Sequence, residues 1–226
     1  RVELVTPDGV IGAHYPPEQF DKQSDGFKVR FEMGWGPGYH RSEFNNLPDS
    51  RWRGNISVDK GKILSVEKCF GRLDQKLEYE NQKGVDFDLT TAIRQSNEPE
   101  DYITESFVIE FEGSLDSKLV GQIEGIDIDK SVSELINGGS VIPLIKESEQ
   151  LLCKTFDVTP EEITNRDTTY HNARKIKIHG VSPRSKHCVN FDFTDVSLTE
   201  GVNSIYVRVY QSNGQMAWSS PVWINH

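Results

Sequence analysis

Asn203-Ser-Ile-Tyr-Val-Arg-Val-Tyr-Gln-Ser-Asn-Gly-Gln-Met-Ala-Trp-Ser-Ser-Pro-Val-Trp-Ile224 closes the chain on a strand, a turn and a final strand. Ile205, Val207 and Val209 hold the odd positions, while Tyr206, Arg208 and Tyr210 hold the even ones. That is the period of two of a half-buried strand. Asn213-Gly214 then supplies two residues that tolerate positive φ in a tight hairpin. The alternation assigns Ile205, Val207 and Val209 to a core, and Trp218 and Trp223 are expected to help fill it.

The same signal recurs upstream. Phe27, Val29, Phe31 and Met33 alternate with Lys28, Arg30 and Glu32, giving a strand with one wet side. Gly34-Trp-Gly-Pro-Gly-Tyr39 has too much glycine and proline for regular structure and reads as an aromatic loop. The strands around Ile56 and Leu64 flank Asp59-Lys60-Gly61, the connection expected of a hairpin. Val85-Asp-Phe-Asp-Leu-Thr90 and Ser106-Phe-Val-Ile-Glu-Phe-Glu112 add two strands, with antiparallel pairing expected between such close neighbours. Ser131 and Glu134 have capping-box spacing, and Thr159-Pro160-Glu161-Glu162 is a second helix start. Strand character returns in Arg174-Lys-Ile-Lys-Ile-His-Gly180 and Val189-Asn-Phe-Asp-Phe-Thr194.

About eight or nine short strands with little helix predict an all-β fold. The expected form is an antiparallel β-sandwich spanning 1–226 as a single domain, with a small helical insertion near 130–170. Long crossover helices for a parallel sheet are missing from the pattern.

Composition narrows the partners. Thirty-five acidic against 25 basic side chains give a formal charge of -10, which repels phosphate backbones and anionic lipid. Neither nucleic acid nor membrane is therefore expected as a partner. The densest basic run, Arg174-Lys175-Ile176-Lys177, reads as the solvent face of a strand. No window approaches the ~18 apolar residues of a membrane helix. Val2-Glu-Leu-Val5 is too short and acidic for the heart of a signal peptide, so a mature form or a piece of a longer protein is expected. A periplasmic or extracellular setting is favoured. Cys69, Cys153 and Cys188 are odd in number and widely spaced, which writes no disulfide framework or zinc ribbon and reads as free thiols.

The closing Tyr206-Val-Arg-Val-Tyr-Gln211, Asn213-Gly214 and Ala217-Trp-Ser-Ser-Pro-Val-Trp223 resemble the extreme C-terminus of large proteins related to the PHP (polymerase and histidinol phosphatase) metallohydrolases. Weaker echoes occur in the same order at Met33-Gly34-Trp35, at Trp52-Arg53-Gly54 with Gly61 and Ile63, and at Lys177-Ile178-His179. In that family a metal-dependent hydrolase domain precedes this region and carries the His-x-His and acidic ligands. His14, His40, His171, His179, His187 and His226 form neither His-x-His nor His-Glu-x-x-His. The resemblance thus implies the β-rich C-terminal portion, itself more an accessory than an enzyme, with the catalytic domain of the same longer polypeptide as partner.

The candidate binding residues are aromatic. Tyr206, Arg208 and Tyr210 form a stripe able to stack a sugar or grip a carboxylate or sulfate, or to pack on a neighbouring domain. Trp35 and Tyr39, in the glycine-rich loop, are the rings placed to hold a pyranose. No residue is assigned a catalytic role or a metal-ligand role. Glu124, Asp127 and Asp129, and the acids from Asp21 to Asp25, admit a structural calcium ion as the one cofactor, without the rhythm of an EF-hand. Asp86 and Asp88 share one strand face, which is not how a glycosidase pair sits across its sugar. Ser219 and Ser220 lack a nucleophile elbow, Cys153 lacks a spaced His partner, and Asn55-Ile56-Ser57 is a glycosylation sequon common by chance.

Three functions follow as expectations. The first is a non-catalytic accessory β-sandwich that docks to the catalytic domain of a PHP-like hydrolase or shapes its substrate site. The second is a free-standing carbohydrate-binding module with a glycan as partner. The third is a small metal-dependent hydrolase with dispersed ligands.

Overall fold

A computed structural model of the chain describes residues 1–15, 26–35, 49–80, 82–92, 103–163, 173–187, 190–194, 196–211 and 216–226. In chain order the strands and helices are β1 Val2–Thr6, β2 Gly9–His14, β3 Gly26–Gly34, β4 Ser50–Val58, β5 Gly61–Cys69, β6 Lys76–Glu80, β7 Gly84–Thr91, β8 Thr104–Gly113, β9 Lys118–Ile123, β10 Ile126–Ser131, α1 Val132–Leu135, β11 Ser140–Pro143, α2 Ile145–Phe156, β12 Lys175–Ile178, β13 Ser182–Pro183, α3 Arg184–His187, β14 Val202–Tyr210, β15 Met216–Trp218 and β16 Val222–Asn225. Every pairing is antiparallel, and the fold is all-β with a small helical insertion, in agreement with the sequence. The chain packs as two compact units, Arg1–Asp21 with Ser185–His226, and Lys22–Arg184.

The larger unit is the sandwich. One sheet runs β10-β9-β4-β7-β6, the other β11-β12-β3-β8-β5 with β13 added to β3. Alternation places Phe27, Val29, Phe31 and Met33 of β3, and Phe107, Ile109 and Phe111 of β8, on one inner face. Trp52 and Ile56 of β4 and Val85, Phe87 and Leu89 of β7 line the other. The two faces meet in one buried cluster, where the Phe87 and Phe107 rings lie 5.0 Å apart across the layers.

The turn at Asp59-Lys60-Gly61 is not a hairpin. β4 and β5 belong to different sheets, so the turn carries the chain across the sandwich. The connection between β8 and β9 clasps it: Lys118 N–H donates to Asp59 Oδ1 at 2.6 Å, and the Ser117 hydroxyl donates to the Lys60 carbonyl. Gly61, at φ +155°, has no room for a side chain, because a Cβ there would sit 2.0 Å from the Glu112 carbonyl oxygen. Likewise β7 and β8, expected as a pair, lie in opposite sheets and face each other through the core. Neighbouring strands form hairpins at β1–β2, β6–β7, β9–β10 and β14–β15.

The insertion follows its capping signals. Glu134 N–H donates to Ser131 Oγ and Ser131 N–H to Glu134 Oε2, starting α1. At a three-residue 3₁₀ turn Thr159 N–H donates to Glu162 Oε2, and Glu162 N–H donates to the Thr159 carbonyl. Between them α2 buries Ser148 and Leu152.

The smaller unit is one sheet, β15-β14-β1-β2, with β16 on the same edge of β14 as β15. Residues 190–194, read as a strand, form none. Phe191 stacks on His14 at 4.3 Å, and Phe193 lies so close to Gly12 that a Cβ there would sit 2.6 Å from its ring. The alternating phenylalanines mark a segment laid over a sheet, not a strand within it.

Candidate functional site

The closing strand, β14, divides its side chains as its alternation requires. Antiparallel partners share a face. Arg208 is paired with Glu3 of β1 on one side and Trp218 of β15 on the other. Tyr206 is opposite Val5, Tyr210 opposite Met216 and Ser204 opposite Trp223. Tyr206, Arg208 and Tyr210 are thus joined on one face by Met216, Trp218 and Trp223.

One carboxylate on this face is shared by two guanidinium groups. Glu3, buried at 5% exposure, accepts from Arg208 Nε at 2.8 Å and from Arg1 Nε at 2.6 Å. These bonds, Arg208 foremost, hold the Glu3 carboxyl below the usual range and push both guanidinium groups up. The Arg1 guanidinium lies 4.1 Å from the Tyr210 ring centre and that of Arg208 5.3 Å. Arg208, expected to grip a ligand carboxylate or sulfate, already holds one of the chain's own.

The aromatic residues around it are open. Trp218 is 67% and Trp223 68% exposed, so the expectation that they fill the core is overturned. They lie on β15 and β16, edge strands without a described neighbour beyond them, and every residue of both strands is exposed. Val222 and Ile224 are open on the opposite face. Alternation in β14 therefore anchors Ile205, while the strands added beside it bury neither side. The Ser219 hydroxyl is tied into the link between β15 and β16, accepting from Val207 N–H and donating to the Ser220 carbonyl.

Trp35 belongs to the other unit. It is half-buried, with a left-handed backbone at φ 63° fixed by its N–H donating to the Ile103 carbonyl at 2.7 Å. Tyr39 lies outside the described residues, as do His40, His171, Cys188 and the acids from Asp21 to Asp25.

The acids named as calcium candidates are separately engaged. Glu124 accepts from Arg53 N–H, Asp127 from the Gln122 amide, and Asp129 pairs with Lys118. Asp88 lies between Arg51 and Arg53, and the Arg51 guanidinium draws its carboxyl down to about 2. Together with Asn55, Lys76, Glu78, Asp86 and Gln122 it lines an open polar groove of about 530 Å³ on the outer sheet face. His179 meets Glu32 at 2.7 Å, a contact that lowers the Glu32 carboxyl. Burial pushes up the thiols of Cys69 and Cys153, away from reactive thiolate. Among the described residues no group of three or more His, Cys, Asp or Glu is placed to hold a metal ion.

At the end of the sandwich where β4 begins lies a polar group that the sequence does not announce. Trp52, fully buried, donates its indole N–H to Thr91 Oγ1 at 3.0 Å. Arg174, just before β12 in the facing sheet, lays its guanidinium over the Trp52 ring at 4.9 Å. It is half-buried, not on the solvent face where the basic run placed it. The one cue in the sequence is that Arg174 shares the parity of buried Ile176. No described helix is long and apolar enough to cross a membrane. No protein-family model matches the chain, and no curated protein or solved structure matches it.

Proposed function

We propose that the chain is a non-catalytic accessory module that docks onto another protein domain through the closing edge of its smaller sheet. By its resemblance to PHP-like proteins, that domain is the metal-dependent hydrolase of a longer polypeptide. The observation that carries the proposal is the exposure of β15 and β16 on both faces, with Met216, Trp218 and Trp223 on one and Val222 and Ile224 on the other. Large apolar side chains clustered in the open mark interaction surfaces. An edge strand with open backbone groups is also a template for a partner strand.

The same geometry favours protein over glycan. A pyranose covers one ring face, whereas this edge is apolar on both sides and needs a partner that wraps it. Arg208 already turns its Nε and one terminal nitrogen to Glu3, so its fork is not open to a sulfated or carboxylated sugar.

Isothermal titration of the chain against the separately produced hydrolase domain tests the proposal. Saturable binding that is lost in the Trp218→Ala/Trp223→Ala variant is expected. Equal binding by the variant, or no binding together with retention of the chain on a glycan array, overturns it.

A further inference from the structure

We propose that the sandwich end between Trp52 and Arg174 is an oxyanion-binding site that takes a carboxylate or phosphate group. Among the described residues the Arg174 side chain makes no hydrogen bond and no ion pair; its one contact of note is the Trp52 ring face. Stacking orients the planar guanidinium and leaves its rim of N–H donors unoccupied. Its backbone is fixed as well: its N–H donates to Ser148 Oγ and its carbonyl accepts from Leu144 N–H. A side chain that is held but unpaired is a preformed half of a bidentate pair.

A second group at this end is also unpartnered. Ser50 stands two residues before Trp52 on the same inward face and opposite Thr91. Its side chain is 2% exposed, and its Oγ has no hydrogen-bond partner among the described residues. A buried hydroxyl is ordinarily satisfied, so an orphan on the same inward face as Trp52, whose ring carries the stacked guanidinium, points to an acceptor bound at this end of the sandwich.

The surrounding charge sharpens the inference. Burial pulls the Arg174 guanidinium below its ordinary value, and Glu124 and Glu147 oppose that only through space. Half-buried charge is costly without a partner. The chain as a whole carries -10, which disfavours scattered anion binding. A saturable anion effect on so acidic a protein therefore requires a local cation.

The test is a titration of the labelled chain with sodium phosphate, sodium acetate and sodium chloride at constant ionic strength, following the Trp52 indole N–H resonance. Phosphate or acetate should move it saturably in the millimolar range, and chloride should not. Movement by phosphate alone, or by acetate alone, tells the phosphoryl source from the carboxylate source. Arg174→Lys, which keeps the charge and loses the fork, should weaken binding about tenfold, and Ser50→Ala a few-fold. Thermal midpoint should rise with the active anion in the wild type and less in Arg174→Lys. No saturable shift up to about 100 mM in any salt overturns the site, since nothing tighter than that range would have been missed. So does an Arg174→Lys variant that titrates like the wild type, or an Arg174→Met variant that melts higher than the wild type with neither responding to anions.

Discussion

Replacing Trp218 and Trp223 together by alanine separates an interface from a core. Two thirds of each ring is open in the folded chain, and a tryptophan side chain carries about 200 Å², so roughly 130 Å² per ring remains to be buried. At about 25 cal/mol per Å² that is about 3 kcal/mol per ring as an upper bound, and ordering costs on association reduce it to about 2 kcal/mol. The two rings pair with Arg208 and Ser204 of the same strand, four residues and about 13 Å apart, far enough for their effects to add. Docking should therefore weaken by about 4 kcal/mol, close to a thousandfold in Kd, as read by calorimetry. Urea unfolding of the isolated chain should shift by no more than about 0.5 kcal/mol, because exposed side chains contribute little to the fold. Trp52→Ala is the internal contrast: that ring is fully buried, and its loss should cost about 3–5 kcal/mol. If the Trp218→Ala/Trp223→Ala chain unfolds as easily as Trp52→Ala, the rings are internal and the docking edge does not exist.

Phe107→Ala removes a fully buried ring that meets Phe31 at 5.5 Å within its sheet and Phe87 at 5.0 Å across the core, so a loss of about 3–5 kcal/mol is expected in urea unfolding. Gly61→Ala puts a Cβ against the Glu112 carbonyl at a left-handed φ and should cost about 1–3 kcal/mol, whereas an ordinary hairpin turn would accept it more cheaply. Glu105→Gln should show an inverted pH dependence. Burial pushes the Glu105 carboxyl up even though the Gly71 and Arg72 N–H groups donate to it. Its contribution to stability is then full below the ordinary value of 4.5 and is lost as pH rises through the raised one. Unfolding measured near pH 4 and near pH 7 should thus find the substitution more costly at the lower pH; a greater cost at neutral pH refutes the sign. Asp88→Asn should act oppositely, its wild-type contribution being lost only as pH falls from 3.8 through about 2.

The strands of the sandwich were legible because alternation is local. Phe27 to Met33 and Ser106 to Glu112 place their apolar side chains on the face the structure buries. Pairing was not legible, since it is decided far along the chain. Nothing in Asp59-Lys60-Gly61 reveals that Ser117 and Lys118 will clasp the turn and send β5 to the other sheet. β9 and β10 carry a weak strand signal because Gly121, Gln122 and the acids of 124–129 dilute their alternation. The candidate site shows the same boundary. Parity puts Tyr206, Arg208 and Tyr210 on one face, but it does not say which face is covered, and Trp218 and Trp223 lie in the open. Nor does it reveal that Glu3, over two hundred residues from Arg208, accepts a hydrogen bond from its guanidinium.

The partners of the polar side chains bear on the proposed binding role. A catalytic group needs a perturbed ionisation and an open approach to its substrate. Among the described residues the obvious reagents have structural partners or raised thiols: the Ser219 hydroxyl closes a strand link, His179 leans on Glu32, Asp88 lies between two arginines and the Cys69 and Cys153 thiols are pushed up. What stays unsatisfied is of another kind. On one sheet it is an apolar edge and the buried His14 Nε2, and at one end of the sandwich it is a stacked guanidinium with an orphan hydroxyl on the same inward face as the ring beneath it. In the proposed reading the edge is completed by a protein surface and the guanidinium by an oxyanion. Loss of Trp218 and Trp223 should therefore appear as a change in Kd for a protein partner, and loss of the Arg174 fork as a change in Kd for an oxyanion. A catalytic rate that fell with either substitution while substrate affinity held would reverse that assignment.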